Sequence, residues 1–92
     1  MIGMCQKAGK IAAGEFSVEK AIKEGKTHLV IIAGDASDNT KKKFTNMSNY
    51  RNVPFRIDFT KEELGKAIGK EMRATICVLD ENFAQTIEKT WR

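Results

Sequence analysis

The residues best placed to do chemistry in this chain lie in "AAGEFSVEKAI", residues 12–22. A glycine and a short polar stretch, Gly14–Ser17, stand directly before a helical pattern. The first backbone N–H groups of a helix have no partner within it, and the helix dipole draws anions to them. Lys20, one turn in, adds a positive charge at the same mouth. Two further loops have comparable means. "AGDAS", residues 33–37, leaves the C-terminal end of an apolar strand, where α/β sheets tend to place ligands. "GKEMRA", residues 69–74, offers Lys70, Met72 and Arg73, which combine charge with an apolar contact. Each has an ordinary role open to it as well: Gly14 as plain backbone freedom, Glu15 as dipole compensation, Lys41–Lys43 as a solvated face.

Catalysis has no such foothold. Cys5, Cys77 and the lone His28 cannot supply the four ligands of a zinc site. Cys77, inside "ATICVL", reads as a buried small hydrophobe, and His28 as structural. Cys5 could be an exposed thiol, but no catalytic partner can be named for it. The carboxylate pairs Glu62–Glu63 and Asp80–Glu81 open helices, where negative charge is favoured for structural reasons. "AGKIAAGE" lacks the Gly-Lys-Ser/Thr ending of a phosphate-binding loop. No catalytic residue, metal or cofactor is expected.

The elements that must position these loops are legible. "MIGMCQKAG" reads as a short uncapped opening helix, which leaves room for further residues upstream. "KIAA" is a short strand. Over Glu15–Glu24, Val18, Ala21 and Ile22 share one helical face, and Gly25 ends the helix. "HLVIIAG" is a strand buried on both faces. A helix follows, capped at Asp35, Ser37 or Asp38, with Phe44 and Met47 inward. "NVPFRI" is a strand that Pro54 pushes to an edge or a start. "TKEELGKAIGK" carries a capping box, Thr60 with Glu63. "ATICVL" is a second buried strand, and the last helix starts at Asp80 with Phe83, Ala84, Ile87 and Trp91 in a stripe. The alternation predicts a three-layer α/β/α sandwich around a small mixed four-stranded sheet.

Ninety-two residues, 41% hydrophobic and 30% charged, fit one soluble domain spanning 1–92. No apolar run approaches a membrane span and the start lacks a secretory pattern, so a cytoplasmic, membrane-free protein is expected. The net charge is +4. Residues 1–79 hold 14 Lys and Arg against 9 Asp and Glu, and residues 80–92 hold 2 against 3. The excess therefore lies on the body of the domain, which favours an acidic partner.

The order of motifs resembles the kink-turn-binding ribosomal protein family across nearly the whole chain, and within it the short bacterial YlxQ-type members. Carrying the resemblance are Gly14 with Lys20-Ala21, the strand ending Ala33-x-Asp35, Val53-Pro54, and Leu64-Gly65-Lys66-Ala67-x-Gly69. It implies an α/β/α sandwich that binds RNA bent sharply at tandem sheared G·A pairs. By that resemblance the Gly14–Ser17 loop with Lys20 enters the widened groove, Lys61 assists, and Gly69–Thr75 covers an extruded nucleotide and the adjacent stem.

The chain departs from the family at three places. Phe16-Ser17 replaces a polar pair that reads the G·A edges, Gly34 replaces a Glu, and Met72, beside Arg73, replaces an Arg. Phe16 cannot hydrogen-bond; it can stack on a base or pack into the core. The expected RNA-binding set is Lys10, Gly14, Glu15, Phe16, Ser17, Lys20, Gly34, Asp35, Lys61, Gly69, Lys70, Met72 and Arg73. The expected partners are ribosomal or other structured RNA, with ribosomal proteins besides, for a monomer. The alternative is a protein–protein interaction module on the same fold that has lost specific RNA recognition.

Overall fold

Residues 6–90 are described by a computed structural model of the chain, with four helices and four strands in regular alternation after Gln6 and Lys7, the described end of the expected opening helix. The rest of that helix, Cys5 included, and Trp91 lie outside the described residues. In chain order the elements are β1 (Ile11–Ala13), α1 (Glu15–Lys23), β2 (Leu29–Ile32), α2 (Asp38–Tyr50), β3 (Phe55–Ile57), α3 (Lys61–Ala67), β4 (Thr75–Val78) and α4 (Glu81–Thr90). The strands form one mixed sheet in the order β1-β4-β2-β3. β4 runs antiparallel to both β1 and β2, whereas β2 and β3 are parallel.

All four residues of β2 and all four of β4 are buried. This is the continuous apolar pattern of a strand covered on both faces, which the alternation of strands and helices predicts. Val18, Ala21 and Ile22 of α1 and Phe44 of α2 join the same buried cluster, with Leu64, Ala84 and Ile87 from the other two helices and Ile68 at the C-cap of α3. Phe44 is fully buried, and burying a side chain of that size is worth about 1.5–3 kcal/mol, so it is the main anchor of α2. Met47, expected to point inward, is only half-buried. His28 keeps a structural backbone role, its N–H donating to the Val78 carbonyl at 2.9 Å, while its side chain is exposed.

Helix starts follow their caps. Ser37 takes the N-cap of α2 from the three candidates, accepting from the Thr40 N–H. Thr60 and Glu63 make the full capping box of α3. Asp80 Oδ1 accepts from the Phe83 N–H at 3.0 Å at the start of α4. The edge strand β3 is shorter than "NVPFRI": Asn52 stands at φ 57, which turns the chain, and Pro54 can offer only its carbonyl, which accepts from the Val30 N–H at 3.0 Å.

Candidate functional site

The strand register brings three of the singled-out segments to one end of the sheet. Ala13 pairs with Ile76, Ile32 with Thr75, and Ile32 again with Ile57. The C-terminal ends of β1, β2 and β3 and the start of β4 therefore meet. A series of backbone hydrogen bonds ties the emerging loops together: Gly14 N–H to Thr75 O at 3.0 Å, Ala33 N–H to Ala74 O at 2.8 Å, and Gly34 N–H to Phe59 O at 2.8 Å. The Thr75 hydroxyl, buried, donates to the Ile31 carbonyl at 2.9 Å and fixes the first of these.

Gly14 is the N-cap of α1 at φ 91 and ψ 156, a conformation that only glycine adopts without strain. Having no side chain, it leaves the first turn of α1 without a side-chain cap. A Cβ built there would sit 4.0 Å from Arg73 Cδ, so the Arg73 stem lies alongside the α1 start. Arg73 is held in turn: its N–H donates to Lys61 O at 3.1 Å, and one guanidinium nitrogen donates to the carbonyls of Glu71 and Met72. Asp35 Oδ1 accepts from the Lys61 N–H at 2.8 Å, which ties the 33–37 loop to the start of α3. Gly14, Gly34, Asp35, Lys61 and Arg73 thus form one rim.

Several cations of α1, α2 and α3 are already paired. Lys23 and Lys43 both pair with Glu19, at 2.8 and 2.6 Å, and hold its carboxyl down at about 2. Lys26 and Lys66 pair with Glu24 and Glu62. Lys20, Lys61 and Lys70 have no ion-pair partner among the described residues, as is also true of Lys10, Lys41, Lys42 and Lys89, and of these Lys61 belongs to the rim. Phe16, the side chain left open between stacking and core, is exposed at 82%, and Met72 at 62%. Ser17 is also exposed and its hydroxyl makes no hydrogen bond among the described residues.

Two expected contact residues also have structural duties. Glu15 accepts a long 3.5 Å hydrogen bond from Thr40 and so turns toward α2. The Asp35 carboxylate is engaged on α3, as above. Lys10 is not at the rim at all: its carbonyl accepts from the Leu79 N–H, at the far end of β1 from Gly14. Four steps of extended chain, roughly 13 Å at ~3.3 Å per residue, separate the two Cα atoms. A residue outside the expected contact set does matter. Gly65 is buried in α3, and a Cβ there would overlap the Glu71 carbonyl oxygen and lie 3.0 Å from Met72 Cα. The 69–73 loop therefore crosses directly over it, with Lys70 N–H donating to Gly65 O at 2.8 Å. A glycine in the middle of the good helix formers "KEELGKA" was the available signal. Among the described residues no group of three His, Cys, Asp or Glu is placed to hold a metal ion, and no helix is long and apolar enough to cross a membrane.

Comparison with known proteins gives this geometry a context. The model of the ribosomal protein L7Ae/L30e/S12e/Gadd45 family matches residues 1–88. The chain is 38% identical over 87 residues to the RNA-binding protein YlxQ of Bacillus subtilis (strain 168), covering 95% of this chain and 87% of that protein. It is 32% identical over 75 residues to the large ribosomal subunit protein eL30 of Methanoregula boonei, covering 79% and 74% of the two. A solved structure of a Bacillus halodurans protein of unknown function superposes with a TM-score of 0.92 at 33% identity, covering 96% of this chain and 89% of that one.

Proposed function

The chain belongs to the ribosomal protein L7Ae/L30e/S12e/Gadd45 family, and on that premise we propose that it is a non-catalytic, ribosome-associated protein that binds structured RNA of the sharply bent, kink-turn kind. The observation that carries the reading is the rim itself: the Arg73 stem lies beside Gly14 at the start of α1, which has no side-chain cap, and the Arg73 N–H is tied to the Lys61 carbonyl. A bend crowds phosphates together, and several cations on a short rim are suited to that density. Free N–H groups at the α1 start add attraction for phosphate without sequence preference. Distorted RNA exposes base edges that a regular helix hides, so a protruding loop mouth suits it better than a flat face would.

The test is an electrophoretic shift competition between a kink-turn RNA and the same RNA with its G·A pairs mutated. The intact kink-turn is expected to compete better, and equal competition would reduce the activity to non-specific RNA binding. Lys20→Glu is expected to weaken binding by about tenfold and to flatten the dependence of log affinity on log salt by about one unit.

A second reading, docking to a ribosomal or assembly protein, has one observation of its own. A groove of about 400 Å³ between the C-terminal halves of α1 and α2 is lined by Ile22, Lys23, Asn46, Met47, Tyr50 and Arg51, and Tyr50 is exposed at 83%. On that reading Tyr50→Ala releases the chain from ribosomal particles in sedimentation and leaves its affinity for isolated RNA unchanged.

A further inference from the structure

Phe16 is the one side chain on the outward face of α1 that water does not want, and nothing in the fold uses it. The core face of α1 is Val18, Ala21 and Ile22. At 3.6 residues per turn Phe16 stands on the opposite side, with Lys20 one turn further along the same stripe. The two are i and i+4, which places their Cβ atoms about 6 Å apart. Glu19 is already committed to Lys23 and Lys43, so the ammonium of Lys20 is the charge left for a ligand beside the ring. An exposed aromatic face with an unpaired cation one turn away matches one nucleotide, base on ring and phosphate on ammonium.

Resting on the RNA-binding reading above, we infer that Phe16 stacks on a single unstacked nucleobase of the RNA while Lys20 holds that nucleotide's phosphate. The side chain cannot accept or donate a hydrogen bond, so it reads the face of a base and not its edge. Every base has such a face, and the RNA bound here must present one extruded or terminal base at the α1 mouth, with little preference among the four. Occupancy by a protein is the competing use of an exposed ring, but the unpaired Lys20 beside this one, in the groove they share, favours an anionic ligand.

The probe is a short RNA duplex with a three-nucleotide bulge beside tandem G·A pairs, prepared also with each bulge base in turn removed to leave an abasic sugar. Phe16 is exposed, so Phe16→Ala and Phe16→Trp are both expected to melt with the wild type. Phe16→Ala is expected to weaken binding about tenfold and Phe16→Trp to retain it. Against one abasic RNA the wild type and Phe16→Ala should bind alike, and changing that base among A, C, G and U should move affinity less than threefold. Equal binding of Phe16→Ala and wild type to the intact RNA would overturn the stacking assignment. So would a loss on Phe16→Ala that persists undiminished against every abasic RNA. If Lys20→Glu weakens binding while Phe16→Ala does not, stacking alone fails; if neither does, the RNA-binding mouth itself is misplaced.

Discussion

Gly65→Ala isolates what holds the 69–73 loop in place. On helix propensity alone the change should help, because glycine inside a helix costs about 1 kcal/mol relative to alanine. The local geometry reverses the sign. A Cβ at position 65 would overlap the Glu71 carbonyl oxygen and lie 2.6 Å from the Glu71 carbonyl carbon. These are backbone atoms, so no rotamer change can relieve the clash, and the loop must retreat by roughly 1 Å to reach ordinary carbon–carbon contact. Its two anchors, Lys70 N–H to Gly65 O and Arg73 N–H to Lys61 O, stretch or break with that movement. Each is worth about 1 kcal/mol net, and overpacking a rigid neighbour costs about 1–3 kcal/mol.

After the propensity gain is subtracted, Gly65→Ala is expected to destabilise the fold by about 2 kcal/mol, a fall of about 10 °C in melting temperature for a domain of this size. Circular dichroism melts measure it, with Gly34→Ala as the control. A Cβ at Gly34 would meet only Phe59 O at 3.5 Å, ordinary contact, so that variant should stay within about 0.5 kcal/mol of wild type. Because Arg73 leaves its place beside Gly14, Gly65→Ala should also bind RNA more weakly at temperatures where it is still folded. If Gly65→Ala melts at or above the wild type, the loop does not depend on the close approach and the reasoning fails.

Three further expectations concern stability. Asp35→Ala removes the acceptor for the Lys61 N–H, and a chemical denaturation midpoint should report a loss of about 1 kcal/mol, as for other lost caps. Ser48 Oγ is fully buried and has no hydrogen-bond partner among the described residues, so Ser48→Ala should raise stability by about 1 kcal/mol in the same measurement. Glu19 is held near 2 in the folded chain, by hydrogen bonds to Lys23 and then Lys43, against 4.5 ordinarily. Its folded-state value is depressed, so its contribution is complete above pH 4.5 and lost as pH falls toward 2. An acid titration of the melting temperature should therefore be shallower over that window in Glu19→Gln than in the wild type.

The elements were legible because their signals are local. Thr60 and Glu63 lie three residues apart, and their capping box needs nothing from the rest of the chain. The apolar runs of β2 and β4 report burial on both faces wherever the strands end up. Gly14 and Lys20 stand out by type and spacing alone. The rim was not legible, since it depends on the strand order β1-β4-β2-β3, which sets Arg73 beside Gly14 across 59 positions of chain. The same order carries Lys10 away from the mouth, although only four positions separate it from Gly14. Asp35 could be singled out but not assigned, because whether a loop carboxylate meets a ligand or caps a distant helix is a tertiary fact. Phe16 is the intermediate case: the sequence left it open between stacking and the core, and the structure sets it on the outward side of α1, opposite Val18 and Ile22.

These assignments divide the mouth into two kinds of residue. Gly14, Asp35, Gly65 and Thr75 build it, through a positive φ, a cap, a close approach and a buried hydroxyl. Each is expensive to change, because the cost appears in folding. Phe16, Ser17, Lys20, Lys70 and Met72 are exposed, and their side chains make no hydrogen bond or ion pair among the described residues. Replacing an exposed side chain without such ties typically moves stability by no more than about 0.5 kcal/mol. Folding therefore places no constraint on what these five positions recognise. A fold held by the first group can change the side chains at Phe16 and Ser17 without losing its rim, and its RNA preference can shift while its architecture stays constant. The same separation makes binding measurements on the second group interpretable: a change in RNA affinity for Phe16, Lys20 or Met72 variants reports binding and not folding, because the fold beneath has no stake in the side chain.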